Sequence, residues 1–392
     1  MNAVAASVAS PSKTPAGPVK PVAPGAAAKA ASAEHGAPAA NATQTAAAVG
    51  QSRQHVRRVG LSLGAALLAA LALACSVGAV PVGLADWAAL LQPDKTGAAH
   101  VLWELRLPRA LTAAAVGAAL GLAGALAQGL FRNPLADPGL LGVTSGAVCA
   151  AALVLTFFAA AALQLPPAAR LWVLPVSAFV GALGVCFMLD RVARWLTPGS
   201  IAGLLLTGLA LNALTMAIVG LCSFVATDEQ LRSLTFWSLG SLAGSSWGVV
   251  AVLALALVLA AWQARRIAPA LNALALGEAV ASHVGIDVQG LRTRLIVVVA
   301  LLSALAVAWC GLIGFIGLMA PHLVRAAAGA DQRAVAPLAM AAGALLLVLA
   351  DTAARTVAMP AEVPVGIFTA LIGAPAFLLL LRGMARQQGG HA

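Results

Sequence analysis

The chain has 392 residues, of which 61% are hydrophobic and 9% charged, with a net charge of +10 and a mean hydropathy of +0.95. Soluble domains carry about a quarter charged residues, so this composition excludes a soluble globular protein, and with it a nucleic-acid partner for the basic charge. The apolar runs are close to ~20 residues, enough to cross a hydrocarbon core as helix, and they lack the two-residue alternation of a membrane β-barrel. The fold class is therefore an all-α polytopic membrane protein, with the lipid bilayer as a partner.

Residues 1–58 are rich in Ala, Pro, Ser and Gly without apolar periodicity, which predicts a disordered tail. No apolar stretch follows Met1 directly, so the tail is not a signal peptide. Lys13, Lys20, Lys29, Arg53, Arg57 and Arg58 face a single acid, Glu34, and hold the tail in the cytoplasm.

Ten spans are predicted, at 59–84, 107–131, 140–163, 171–189, 201–225, 247–265, 295–312, 315–326, 334–353 and 363–381, within a transmembrane unit at 59–386. The eighth is too short to cross alone and must be shielded by protein. With the tail inside, the outer segments hold only Lys95, Arg106, Arg109, Arg170, Arg232 and Arg355. The remaining Lys and Arg fall on the cytoplasmic side, as the positive-inside rule requires, and both termini are cytoplasmic.

In the second span, Gly117, Gly121, Gly124 and Gln128 share one helix face. Such faces are packing seams or line a pathway, and an amide at Gln128 needs a partner or water. The span ends in Phe131-Arg132-Asn133-Pro134-Leu135-Ala136-Asp137-Pro138-Gly139, whose two X-Pro steps force extended or turn geometry. In the fifth span Thr207, Gly208 and Asn212 interrupt an apolar stretch, and Asn212 is a pathway or a packing group. Arg106, Arg109 and Arg355 stand out on the outer side; they snorkel to headgroups or present forks to carboxylates of a docking protein. Phe236 to Leu242 reads as an amphipathic helix on the outer surface, with Trp237 and Trp247 in the interfacial belt.

Residues 268–294 form a long water-compatible island between the sixth and seventh spans. A plain connector needs two to eight residues. Here Gly277 and Gly285 bracket two helical turns with Glu278 in the first and His283 in the last, the ends each charge type prefers. Leu276, Val280 and Val284 make an apolar stripe for a partner, and Asp287 opens a second short helix running into Arg292 and Arg294.

Chemistry-bearing motifs are missing. No lysine follows Lys95 and no GxxxxGK[ST] occurs, so the chain carries no phosphate-binding loop. Cys75, Cys149, Cys186, Cys222 and Cys310 are scattered singly, without metal or redox spacing. Asp190 and Asp351 sit at span ends beside Arg191 and Arg355. An ion-coupled transporter places charges mid-membrane; a pore powered by another subunit needs none. No catalytic residue, metal site or cofactor is predicted.

Several stretches match one family. Arg106-Leu107-Pro108-Arg109 followed by GAALGLAGALAQGLFRNPLADPGLLGVTSGA (117–147), LLLTGLALNAL (204–214), FWSLGSL (236–242), LALGEAVASHVGIDVQGLR (274–292), GLIGFIGLMAPHLVR (311–325) and VPVGIFTALIGAPAFLLLLR (363–382) resemble the FecCD-type permeases of ABC importers. The resemblance covers the chain from about residue 60 onward. It implies a type II ABC importer permease fold with ten helices, spans two to five and seven to ten being inverted repeats. It further implies a homodimer in the bacterial inner membrane, two cytoplasmic ATPases, and a periplasmic binding protein delivering ferric siderophore, haem or cobalamin, with an iron chelate the favoured cargo. On this resemblance Leu276, Gly277, Glu278, Val280, His283, Gly285 and Asp287 couple to the ATPase, and Arg106, Arg109 and Arg355 dock the binding protein. Gly124, Gln128, Thr207 and Asn212 line the pathway, while Thr197, Gly199 and Ser200 narrow an inner gate.

Overall fold

A computed structural model describes residues 37–89 and 97–389, and among these no strand occurs. The described residues from Val56 onward make one packed unit. Among the described residues seven helices are long and apolar enough to cross a membrane, and three more apolar helices are shorter.

The first helix, α1 (Ala37–Ser76), includes residues 37–58, which were expected to belong to the disordered tail; the alanine-rich composition of 37–50 has high helix propensity. Residues 1–36 of that tail lie outside the described residues. The first span stops at Ser76, eight residues short of its expected end. Gly78 adopts φ +155°, and the Arg106 guanidinium donates to the carbonyls of Cys75, Ser76 and Val80, satisfying acceptors that a helix end leaves open.

Short helices α2 (Leu84–Ala88) and α3 (Gly97–His100) precede a π-helical turn, Val101–Arg106, which runs straight into α4 (Leu107–Phe131). Pro108 marks the change from π- to α-helix, where its ring has no N–H to donate. Beyond α4, Arg132 turns left-handed at φ 49°, and a 3-10 turn (Pro138–Leu141) leads into α5 (Val143–Phe157) and the short α6 (Ala159–Leu163). The third span is thus split at Phe158 rather than continuous. Then come α7 (Pro167–Leu196) and α8 (Ile201–Val225), the latter capped by Ser200, whose hydroxyl accepts from the Gly203 amide at 3.0 Å.

The amphipathic helix expected at Phe236 to Leu242 instead occupies Asp228–Ser238 (α9). Thr227 and Gln230 form a reciprocal capping box that starts it early. Gly240, at φ +75° against the Leu312 carbonyl, ends it. Next are α10 (Trp247–Ala275), α11 (Glu278–His283), α12 (Val288–Cys310), α13 (Ile316–Ala328), α14 (Gln332–Thr356) and α15 (Val365–Gly389). The short α13 buries Ile316, Gly317, Met319, Ala320, Pro321 and Val324, which is the protein shielding its length demands.

Two helices run on where short elements were expected. α10 continues ten residues past the anticipated end of the sixth span, and the helix that Asp287 caps is α12 itself. No backbone breaker strong enough to stop α10 occurs before Gly277; Pro269 is accommodated within it. The island is thereby reduced to residues 276–287, mounted on two long helices.

The centre of the bundle is α4, packed chiefly on α14 and also on α13, α10 and α12. A Cβ added at Gly117, Gly121 or Gly124 would collide with the backbone carbonyls of Gly343, Ala339 and Gly317 respectively. Only glycine permits that approach, and in lipid, where apolar contact has no hydrophobic driving force between helices, such van der Waals contact holds helices together. A second pair, α5 and α7, meets the same way at Gly146 and Gly181. α4 runs from the Arg106 end to the Glu278 end and α12 runs back, the antiparallel sense that inverted repeats require.

Candidate functional site

The functional residues fall at the two ends of the bundle and on α8. At the island end, α11 is bounded by Gly277 (φ +121°) and Gly285 (φ +83°). Neither position has an atom near a would-be Cβ, so the glycines serve the left-handed backbone alone. Ala281 is fully buried, whereas Leu276, Val280 and Val284 are 74%, 43% and 65% exposed. The predicted stripe therefore exists, and it points outward with its apolar area uncovered. His283 turns back to the Ala279 carbonyl at 2.7 Å. Asp287 accepts from the Gly290 amide at 3.0 Å and so caps α12.

Arg292 joins this helix to a second element. One guanidinium nitrogen donates to Glu278 at 3.1 Å and another to the Gly199 carbonyl at 3.2 Å. Glu278 also lies 4.0 Å from Arg132 beyond α4. Gly199 stands at φ +79° in the tight Thr197–Ser200 loop, where the Thr197 hydroxyl bonds back to Ala193 and Ser200 caps α8. Sequence reasoning named Glu278 and Gly199 separately. It did not see Arg292 as their link, because ninety-odd residues separate the loop from α12.

Near the same end, Asn272 donates to Asp331 at 2.7 Å and accepts from the Gln332 amide at 2.9 Å. Burial pushes the Asp331 carboxyl up, but the Asn272 amide, the Arg333 N–H and the Arg333 charge together bring it below the usual carboxylate range.

Gly124 and Gln128 lie inside the bundle rather than on an open face. Gly124 abuts Gly317, and Gln128 is buried, donating to the Leu318 carbonyl at 3.2 Å and accepting from Arg325. Their expected pathway role gives way to a packing seam with an internally satisfied amide. Thr207 is also buried, its hydroxyl bonded to the Gly203 carbonyl at 2.8 Å. Asn212 differs: it is exposed on an otherwise apolar helix and faces a cavity of about 620 Å³ shared with Ser145, Thr235 and Ser238.

At the other end, the three arginines are committed internally. Arg106 is only 6% exposed and caps α1. Arg109 forms bidentate pairs with Asp351 at 2.9 Å and Glu362 at 2.8 Å. Arg355 donates to the carbonyls of Val77 and Ala74 and lies 3.9 Å from Asp351. They build the floor of a depression of about 420 Å³ rimmed by Val80, Leu105, Met359 and Glu362, instead of projecting free forks. Arg109 and Asp351 are 242 residues apart, which is why the sequence offered no sign of the pairing.

All five cysteines are buried and free. Among the described residues no group of three or more His, Cys, Asp or Glu converges as a metal site would.

Comparisons with known proteins fit this geometry. Residues 66–383 match the FecCD transport family. The hemin transport system permease protein HmuU of Yersinia pestis is 43% identical over 295 residues, covering 74% of this chain and 86% of that protein. The vitamin B12 import system permease protein BtuC of Vibrio cholerae is 41% identical over 282 residues, covering 72% and 82%. A metal-chelate-type ABC transporter solved in an inward-facing conformation superposes with a TM-score of 0.73 at 32% identity, covering 83% of this chain and 99% of that one. With a bundle of apolar helices, a long glycine seam along α4 and a family match across four-fifths of its length, this chain is a member of the FecCD transport family.

Proposed function

We propose that the chain is the translocating subunit of an ABC importer, carrying an iron chelate inward across the bacterial inner membrane and catalysing nothing itself. Ten helices span, the seven long ones and the three shorter ones, as inverted repeats of spans two to five and seven to ten. Two copies form a homodimer with the pathway on its axis. Two separate cytoplasmic ATPases sit under the island, and a periplasmic binding protein docks over the depression that Arg106, Arg109 and Arg355 support. Both termini are cytoplasmic.

The observation that carries this reading is the uncovered stripe Leu276, Val280 and Val284 on a glycine-bounded helix whose other face is buried. Apolar surface of that kind at the water-facing end of a membrane bundle marks a protein contact. A movement imposed on α11 reaches Arg292 through Glu278, and the Thr197–Ser200 loop through Gly199. That loop joins α7 to α8, so it transmits the movement to the helix bearing Asn212. In this reading Thr197, Gly199 and Ser200 narrow or open the inner end, and the Arg292–Gly199 hydrogen bond supports it.

For the cargo, the haem permease relative and the metal-chelate transporter support haem or a ferric siderophore. The vitamin B12 permease relatives favour cobalamin as the second reading. The chain should be reconstituted in liposomes with its ATPase and binding protein, and uptake of haem, a ferric siderophore and cobalamin measured separately. ATP-dependent uptake of an iron chelate is expected. Uptake by the chain alone, driven by an ion gradient, would show a self-sufficient transporter instead.

A further inference from the structure

Between α10 and α14, at the level of the island-side membrane face, lies a cavity of about 250 Å³ that the transport reading leaves unused. Its apolar wall includes Ala264 and Met340, with Leu122 of α4 at its floor, and its polar wall is Arg265, Arg333 and Gln332. Among the described residues Arg265 has no ion-pair or side-chain hydrogen-bond partner, and Arg333 makes no close ion pair and feels only the longer-range attraction of Asp331. The nearest carboxylate, Asp331, is taken up by Asn272 and by the cap of its own helix. Gln332 is only 7% exposed, and its Oε1 is buried without a hydrogen-bond partner. Burying such an acceptor unpaired is costly, so turning the carboxamide toward the cavity to meet a donor is favoured.

Depth is set by Trp262, one turn before Arg265. It is half exposed and stacks under Arg266, whose guanidinium carbon is 3.8 Å from the ring centroid. Tryptophan with a cation on its face belongs at the headgroup level of a bilayer. Below it the outward surface of α10 is apolar, with Leu255, Val258 and Leu259 exposed, as acyl chains require.

We propose that this groove is a binding site for an anionic phospholipid with a hydroxylated headgroup, of the phosphatidylglycerol type. Arg265 and Arg333 hold the phosphodiester, Gln332 accepts a hydrogen bond from a headgroup hydroxyl, and an acyl chain lies along Ala264 and Met340 toward Leu122. Basic pockets between membrane helices on the cytoplasmic side recognise such headgroups. The site does not depend on which cargo is carried.

The test uses the full chain purified in detergent, with lipid binding read by native mass spectrometry and by the thermal shift on adding lipid. Phosphatidylglycerol should bind in preference to phosphatidylcholine. Replacing both arginines (Arg265→Gln with Arg333→Gln) should weaken it by about thirtyfold, taking about a kcal/mol for each, while Arg265→Lys with Arg333→Lys retains most of the binding. Gln332→Leu should abolish the preference for phosphatidylglycerol over phosphatidic acid, which lacks the hydroxyl. Inorganic phosphate at the same concentration should displace nothing; displacement would show a free-anion site and overturn the lipid assignment. If the double glutamine variant does not fold, a photoactivatable phosphatidylglycerol on the wild-type chain decides the matter. Labelling in α10 and α14 supports the site, and labelling elsewhere, or equal retention of phosphatidylcholine, refutes it.

Discussion

Val280→Asp tests the proposed coupling role of α11 most directly. Full burial of a Val or Leu side chain contributes about 1.5–3 kcal/mol. Scaled by the exposed fractions of Leu276, Val280 and Val284, covering the stripe is worth about 3–5 kcal/mol before the losses of association. Aspartate at 280 forfeits the valine's share, about 1 kcal/mol, and forces a carboxylate to lose water without a partner, costing several kcal/mol more. Even a net loss of about 3 kcal/mol weakens ATPase binding roughly a hundredfold. The substituted side chain replaces an outward-facing one, so the variant should insert and purify like wild type, whereas Ala281→Asp, aimed into the buried face, should not accumulate. ATPase affinity is measured on the purified variant, then ATP hydrolysis and uptake in liposomes with loaded binding protein. Affinity within about twofold of wild type, with normal stimulation and normal uptake, would refute the assignment of this helix as the coupling surface.

Arg292→Ala should leave ATPase binding near normal but cut uptake per ATP hydrolysed severalfold, since the link to Gly199 is severed while the apolar stripe stays; unchanged stoichiometry would rule the link out. Gly124→Ala should cost at least about 1–3 kcal/mol by driving a Cβ into the Gly317 carbonyl, seen as a lower unfolding temperature in detergent. Arg109→Met should destabilise by about 1.5–3 kcal/mol, because Asp351 loses its hydrogen-bonded partner and keeps only the 3.9 Å contact with Arg355, and adding Asp351→Leu should restore part of the lost unfolding temperature. By the same logic, reversing Arg106, Arg109 and Arg355 to Glu together should prevent accumulation of the protein, not merely slow docking; a well-folded triple variant with weakened binding-protein association would instead restore the picture of free docking forks.

Much of the architecture was legible because lipid imposes simple rules. Apolar runs of spanning length gave most of the helices, and glycines at 277 and 285 bracketed α11 correctly because a left-handed backbone leaves few other residues suitable. The outward stripe at 276, 280 and 284 followed from spacing. Helix ends were less legible. α1 stops early because Arg106, thirty residues on, caps it, and α10 runs past Pro269 because only Gly277 breaks it. Arg109 could not be paired from sequence because its acceptors, Asp351 and Glu362, lie 242 and 253 residues away, whereas Asp351 beside Arg355 was legible at four residues' spacing. Gly124 and Gln128 could be read as seam or pathway on periodicity alone; the backbone of Gly317 on the facing helix decides between them.

The glycine seams have a mechanical consequence. Where α4 meets Gly343, Ala339 and Gly317, carbonyls sit in the space that side chains would occupy, so these helices cannot slide past one another without first lifting apart. They act as a stator. α5 and α7, locked at Gly146 and Gly181, form a second rigid piece. α8 is held differently: Gly208 abuts the Leu140 carbonyl at one point, while Gly220, three turns on, faces open space. Beyond Gly208 the helix is seated by side chains instead, Val219 and Cys222 against α5, and side-chain contacts re-form as a helix tilts where locked backbones do not, so a displacement of the loop tied to Arg292 moves α8 before it moves either rigid pair.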